Sequence, residues 1–348
     1  MELVHTFPSL HMAQLAIGRY IPGSSALCRE LSWWVALTLD GYVANRLPDC
    51  DVFVGISGSG LKTGRLAQKR GGKYICDRGS SHVRWADRML TEEFARWGQE
   101  FEGVYPKHIA REEQEYAQAD AITVPSEFAR RTYVGMGVPQ DKIKKVAYGS
   151  DLSRFSKVAE PAPGSFDILF AGQVSFRKGI PYLLDAFAKF RHPKKTLTIV
   201  GGVLPEIERY LQGKSFENVE FVGTQPQLRL KELMSRSHVM VLPSVEEGLA
   251  LVQGEAMACG CPLIASENTG AEDLFDDGQE GFIVPIRDSD AITERLERLA
   301  QDPARRQAMS ARALERVVRI GGWDTYGRAY VAVLESLMMP ETRREVPA

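Results

Sequence analysis

Cysteine is scarce in this sequence: Cys28, Cys50, Cys76, Cys259 and Cys261 are the only ones among 348 residues. An odd, sparse set without CxxC spacing argues against a disulfide framework and against a thiolate zinc site, and suggests a reducing compartment. Long apolar runs are also missing, so nothing reads as a membrane span. The opening MELVHTFPSLHMAQLAIGRY lacks the charged start and apolar core of a secretory signal, and a cytoplasmic protein is expected. Charge of one sign is missing as well. A net charge of −2 gives no reason to expect a nucleic-acid partner. Repeats and low-complexity tracts do not occur. What is present, 44% hydrophobic and 25% charged residues, is ordinary for a globular protein, and the length suits two domains better than one.

From residue 51 to 149, short β-rich runs (DVFVGIS, KYICDR, AITVPS, KIKKVAYG) alternate with helical stretches (LKTGRLAQKRG, VRWADRMLTEEFARWGQEF, SEFARRTYVGMG). This is the grammar of βαβ units and a parallel sheet. The Pro- and Ala-rich stretch 156–166 reads as a linker. Alternation then restarts with FDILFAG, TLTIVGG, VEFVG, HVMVLP, PLIAS and GFIVP as strands, and the chain closes with three helical segments broken at Asp302-Pro303 and Gly321-Gly322. Two doubly wound α/β domains in tandem are predicted, with ligands at the carboxyl ends of the strands and a site in the cleft between the domains. The first fifty residues fit this scheme least. MELVHTF suits a strand, but no glycine-rich turn follows it, so that part is abbreviated or rearranged.

One stretch imitates a phosphate-binding loop. VFVGISGSGLKTGRLAQ, residues 52–68, holds Gly55, Gly58 and Gly60 and then Lys62-Thr63. A P-loop needs its lysine directly after the last glycine. Leu61 intervenes here, and one residue on a helix is a rotation of about 100°. The stretch therefore reads as a strand, a turn and a helix, with residues 55–64 facing the cleft and available to an acceptor or donor.

The most informative segment is 242–285, LPSVEEGLALVQGEAMACGCPLIASENTGAEDLFDDGQEGFIVP. Glu247 falls in a loop just after a strand, and Glu255 follows eight positions later on a helix starting near Leu251. Gly248 permits close backbone approach, and the free N–H groups at the helix start form an anion site. Acceptors for sugar hydroxyls and donors for phosphate then lie together, which suits a nucleotide sugar.

In this segment the chain resembles the retaining glycosyltransferases of family 4, the glycosyl transferases group 1, whose GT-B fold sets two Rossmann-like doubly wound parallel-sheet domains across a central cleft. Their C-terminal domain carries two glutamates eight apart within S-x-x-E-G-F-G-L-x-x-x-E-A-M-A-x-G-x-P. Ser244, Glu247, Gly248, Leu251, Glu255, Ala256, Met257, Ala258, Gly260 and Pro262 match. Leu249, Ala250 and Gly254 depart from the pattern. Ala250 tightens the loop beside the donor, which puts the choice of donor in question more than its binding. A second match is FAGQVSFRKGIPYLLDAF, residues 170–187, where Lys178-Gly179 fits the family's G-R…K-G loop, Gln173 replaces its arginine and Arg177 stands beside the lysine.

The resemblance covers residues 120–340 and is weak over 1–75. It implies an acceptor-binding domain over 1–155, a nucleotide-sugar domain over 156–325, and a helix over 326–348 packing back on the first domain. By the same resemblance Glu247 contacts the transferred sugar, and Arg177 and Lys178 stabilise the departing diphosphate. Glu255 holds the ribose, and Gly172, Gln173, Gly223 and the run Gly248, Leu249, Ala250, Leu251 and Val252 complete the donor site. No metal and no cofactor is expected beyond the donor itself, a UDP-, GDP- or ADP-sugar, since cations in a closed cleft stabilise the leaving charge.

On the acceptor side, YICDRGSSH delivers Asp77, Arg78, Ser80, Ser81 and His82 to a strand end. Family members place a histidine in this region against the donor sugar, which makes His82 the candidate, with capping of the helix at Val83 as its alternative role and Asp77 as runner-up. His5, His11, His108, His192 and His238 read as structural or surface residues. Eight basic residues between Lys62 and Arg88, near Trp33-Trp34 and Trp85, outline a face for anionic lipid and a lipid-linked acceptor; the competing and slightly preferred account is a solvated helix surface. The expected activity is metal-independent, retaining transfer from an NDP-sugar to a glycan or lipid-linked saccharide, in the cytoplasm or at the inner face of the plasma membrane. A sugar-nucleotide epimerase, a disaccharide synthase and a non-catalytic glycosyltransferase-like subunit are the alternatives.

Overall fold

The computed structural model describes residues 25–151 and 153–339. In chain order the elements are α1 (Ser25–Ala44), β1 (Val52–Ile56), α2 (Leu61–Lys69), β2 (Lys73–Asp77), α3 (Val83–Arg96), α4 (Pro106–Gln118), β3 (Ala121–Val124), α5 (Glu127–Gly135) and β4 (Ile143–Lys145). There follow β5 (Phe166–Ala171), α6 (Ile180–Lys189), β6 (Lys195–Val200), α7 (Pro205–Leu211), β7 (Val219–Gly223), α8 (Gln227–Arg236), β8 (Val239–Leu242), α9 (Leu251–Ala258), β9 (Leu263–Ser266), β10 (Gly281–Val284), α10 (Ser289–Gln301), α11 (Pro303–Ile320) and α12 (Trp323–Met338). The expected strand at MELVHTF lies outside the described residues.

The strands form two parallel sheets, one of four in the order β1-β2-β3-β4 and one of six in the order β10-β9-β8-β5-β6-β7. Crossover helices cover the larger sheet on both faces. Its strands are accordingly near-continuous apolar runs, with Leu169, Phe170, Ile199, Val241 and Ile264 fully buried. The smaller sheet has unequal faces. Tyr74, Cys76 and Ile122 on one face pack against Ile109 and Tyr116 of α4 and Tyr133 of α5. On the other face Ile75 and Ala121 meet Leu337, with Val333 and Leu334 alongside, so α12 returns from the far end of the chain to cover it. Edge strand β1 leaves Val54 and Ile56 exposed beside this cover.

Two helices occupy sequence to which no element was assigned. α1 fills part of the irregular first fifty residues, and α4 lies between the second and third strands of the first sheet. The buried residues of α4 include Arg111, Glu112 and Glu115, so its inner face does not follow an apolar period.

The two domains are closed on each other. Phe94 near the end of α3 belongs to the core of the second domain, 5.3 Å from Phe176 between ring centroids, and Trp97 packs edge-on to Tyr182 and Tyr210. Glu93, fully buried, accepts hydrogen bonds from Tyr182 Oη at 2.8 Å, Trp97 Nε1 at 2.8 Å and Arg287 Nε at 2.7 Å. At the start of α5, Ser126 accepts from the Ala129 N–H as N-cap and donates to the Gly248 carbonyl across the interface at 2.6 Å.

Candidate functional site

Strands β5 and β8 are neighbours in the larger sheet, so the loops leaving their carboxyl ends lie side by side. This adjacency brings together charges about seventy positions apart. The loop after β5 carries Gln173, Arg177 and Lys178, and the loop after β8 carries Glu246 and Glu247. The Val245 N–H donates to the Arg177 carbonyl at 2.8 Å and ties the two loops by backbone. Lys178 Nζ pairs with Glu247 Oε1, and Arg177 donates Nη2 to Glu247 at 3.2 Å and Nε to Glu246 at 2.8 Å. Burial alone would favour neutral Arg177, but Glu247 and Glu246 outweigh it and raise its pKa. Burial likewise raises Glu246, yet Arg177 and the hydroxyls of Ser81 and Ser80 hold it below its usual range.

The remaining donor candidates surround this cluster. Glu247 is buried, Leu249 and Ala250 are buried beside it, and Leu251 opens α9 half-exposed with Val252 partly covered. Ala250 supplies no side-chain cap, so the first N–H groups of α9 receive none from that position. Glu255 lies one turn further on, where burial and the Asp151 charge raise its pKa. Gly172 follows β5, and Gly223 ends β7. Gln173 and Arg177 line an interdomain cavity of about 430 Å³ together with Phe94, Phe101, Leu204 and Glu206.

One departure from the family pattern and one match to it have steric causes. A Cβ at Gly254 would collide with Ser150 Oγ, which fills the place of the usual bulky residue. Gly248 is required because a Cβ there would meet the Gly79 carbonyl of the first domain.

His82 takes the capping role. Its Nδ1 accepts from the Arg84 N–H at 3.2 Å, and its ring is enclosed by Tyr116 and Tyr133 at centroid distances of 5.0 and 5.1 Å. The turn instead offers Ser80 and Ser81 to the second domain, where both donate to Glu246 Oε1, at 2.8 and 2.5 Å. Runner-up Asp77 accepts from Thr123 Oγ1 at 2.5 Å. Burial lowers the His82 pKa to about 4. Its unfolded value is near 6.5, so the unfolded chain binds the extra proton first; the stability it contributes is complete above about pH 6.5 and is lost as pH falls toward 4. Unfolding free energy should drop by about 2 kcal/mol from this group between pH 7 and pH 5. Denaturant titrations at both pH values should show a correspondingly smaller drop in His82→Asn, which keeps a capping oxygen but cannot titrate.

The glycine turn after β1 is not available to acceptor or donor. Glu115 of α4 accepts from the N–H groups of Gly58 and Gly60, the latter at 3.0 Å, and Asp40 of α1 accepts from those of Lys62 and Thr63 at 2.7 and 2.9 Å. Arg111 pairs with Asp40 and lies 3.6 Å from Glu115. The anion that this helix start attracts is thus built into the chain, and Lys62 points outward, exposed. The basic face loses members in the same way. Arg78 pairs with Glu112, Arg84 with Glu113 and Lys73 with Asp120; Trp33 meets His108 edge-on, Trp85 meets Phe128 edge-on, and Trp34 is exposed. His238 is buried with Nδ1 accepting from the Asp167 N–H, His192 Nδ1 accepts from the Lys194 N–H, and His5 and His11 lie outside the described residues. No helix among the described residues is long and apolar enough to cross a membrane.

Glu246 was not singled out in the sequence. Its position beside Glu247 was visible, but the serines that bind it come from more than 160 residues away.

With the site assembled, comparison with known proteins is decisive for the second domain. Residues 153–316 match the family described as glycosyl transferases group 1. This part of the chain belongs to that family. Among relatives of this group 1 domain, the glycogen synthase of Mycobacterium tuberculosis (strain ATCC 25618 / H37Rv) is 28% identical over 212 residues, 58% of this chain and 51% of that protein. The chain spans about half the length of the curated relatives it matches. Among solved structures, sucrose-phosphate synthase from Thermosynechococcus elongatus superposes with a TM-score of 0.69 at 24% identity, covering 91% of this chain and 81% of the other. Anabaena HepE in complex with UDP-glucose does so with a TM-score of 0.66 at 18% identity, covering 86% and 82%. The architecture is GT-B: two parallel-sheet α/β domains facing each other.

Proposed function

We propose that the protein is a retaining glycosyltransferase that takes a sugar from a nucleoside diphosphate donor and places it on a saccharide or lipid-linked acceptor. The observation that carries this is the interdomain cluster itself, with Glu247 held by Lys178 and Arg177 eight positions before Glu255. A diphosphate entering beside Arg177 exchanges its charge for that of the carboxylates now paired with the two cations. That exchange releases Glu247 toward the sugar. As the bond between the anomeric carbon and the phosphate oxygen breaks, Arg177 and Lys178 stabilise the charge developing on the leaving group, a task that fixed cations in a water-poor cleft perform well. The acceptor oxygen bonds to the anomeric carbon on the face the phosphate leaves, and its proton passes to a phosphate oxygen. Glu255 receives the ribose hydroxyls, and the start of α9 faces the phosphates.

UDP is the first nucleotide to test, because the HepE structure holds UDP-glucose. A thermal-shift series with UDP, GDP, ADP and their sugar conjugates should show stabilisation of several degrees by one nucleotide family, lost in Glu255→Ala. No shift at millimolar concentration with any of them would overturn the proposal. Stabilisation without transfer or donor hydrolysis would favour a non-catalytic binding subunit, a reading that Gln173, standing in place of a cation, supports.

A further inference from the structure

Glu246 is 2% exposed and its two carboxylate oxygens serve different domains. Oε1 accepts from Ser80 and Ser81, in the turn after β2 of the first domain; Oε2 accepts from Arg177 Nε, in the loop before α6 of the second. Arg177 is thereby held along two edges, with Nε on Glu246 and Nη2 on Glu247. The backbones are pressed together at the same place, since a Cβ on Gly248 would strike the Gly79 carbonyl. An apolar side chain would fill a buried contact at a lower desolvation penalty than a carboxylate. Glu246 also opposes phosphate binding, because it neutralises part of the charge on which a diphosphate depends.

We propose that Glu246 is a positioning residue that aims Arg177 at the donor diphosphate only while the Gly79–Ser81 turn of the first domain is docked on it, so that seating of the acceptor domain is read out in the orientation of the leaving-group cation. This rests on the donor-site reading above and adds a coupling between the domains to it.

The two roles of the carboxylate pull in opposite directions, and this gives the test its signature. In Glu246→Gln, removal of a negative charge beside Arg177 should tighten binding of the nucleoside diphosphate by about 3- to 10-fold in calorimetry. Turnover should fall by about 10- to 100-fold, because Arg177 is no longer held along its Nε edge. Ser80→Ala combined with Ser81→Ala should reduce turnover without the gain in affinity. A variant that had merely lost structure would lose both together. Unchanged turnover in Glu246→Gln, or parallel loss of affinity and turnover, overturns the proposal. Should the unaltered protein bind none of UDP, GDP and ADP, the donor-site reading fails, and hydrogen exchange decides the coupling separately. Amides of residues 79–84 should then exchange faster in Glu246→Gln and at the unaltered rate in Glu255→Ala; equal rates in all three proteins overturn the coupling.

Discussion

Glu247→Gln is expected to lower sugar transfer by about 100- to 1000-fold while leaving a folded protein that still binds its nucleotide. The amide matches the carboxylate in shape, so the packing of Leu249 and Ala250 beside it should persist. What changes is the charge. Lys178 and Arg177 both lean on Glu247 in the ligand-free protein, and Arg177 retains Glu246 as a second partner whereas Lys178 loses its paired carboxylate. A diphosphate can satisfy Lys178 in its place, so the nucleotide affinity of the variant should equal or exceed that of the unaltered protein. The sugar loses a contact that bears charge in the transition state. Steady-state transfer measured beside nucleotide calorimetry checks this split. Turnover within threefold of the unaltered enzyme would remove Glu247 from the chemistry.

Glu93→Ala is expected to destabilise the whole molecule by about 3 kcal/mol. The carboxylate is fully buried and satisfies three donors, one of them the part-buried guanidinium of Arg287. Its removal strands that charge and leaves Tyr182 and Trp97 without their acceptor. The exposed Glu92, 3.5 Å from Arg287 Nη1, offers partial compensation, which places the effect toward the lower end of what broken buried pairs show. Because Glu93 is on α3 of the first domain and Tyr182 and Arg287 are in the second, urea unfolding followed separately in each domain should move together. Glu93→Gln, which keeps an acceptor oxygen but not the charge, should fall between the two. A loss below 1 kcal/mol in the alanine variant, or a shift confined to one domain, would show that this contact does not join them.

The strands were legible because their burial is apolar. YIC, ILFA and VMVL are uninterrupted apolar runs, as parallel strands covered on both faces require, while VFVGI is as apolar although its edge strand leaves Val54 and Ile56 exposed. The family motif was legible because its residues are local in sequence. α4 was not, since PKHIAREEQEYAQ buries charge where a periodicity argument looks for oil. Its Glu115 is buried because the turn after β1 has N–H groups to give, and its Arg111 because Asp40 and Glu115 are there to meet it. Glu246 was hidden for a related reason. A carboxylate bound by Ser80 and Ser81 has no signature in its own neighbourhood. For His82 the sequence left two directions open, the cleft or the cap of the helix behind it, and Tyr116 and Tyr133, which enclose its ring beside the helix, are brought there only by folding.

The covering of the first sheet by α12 bears on how the chain matures during synthesis. The described strands of that sheet have all left the ribosome once residue 145 has emerged, yet among the described residues the apolar face of Ile75 and Ala121 is met by Val333, Leu334 and Leu337, which arrive last. The whole second domain is translated in between. The first domain must therefore wait, half-dressed, for the last helix described, and a ribosome stalled anywhere between the two would hold out a sticky nascent sheet. A chaperone that binds apolar surface would find its target there, at a stage when the second domain is already able to fold.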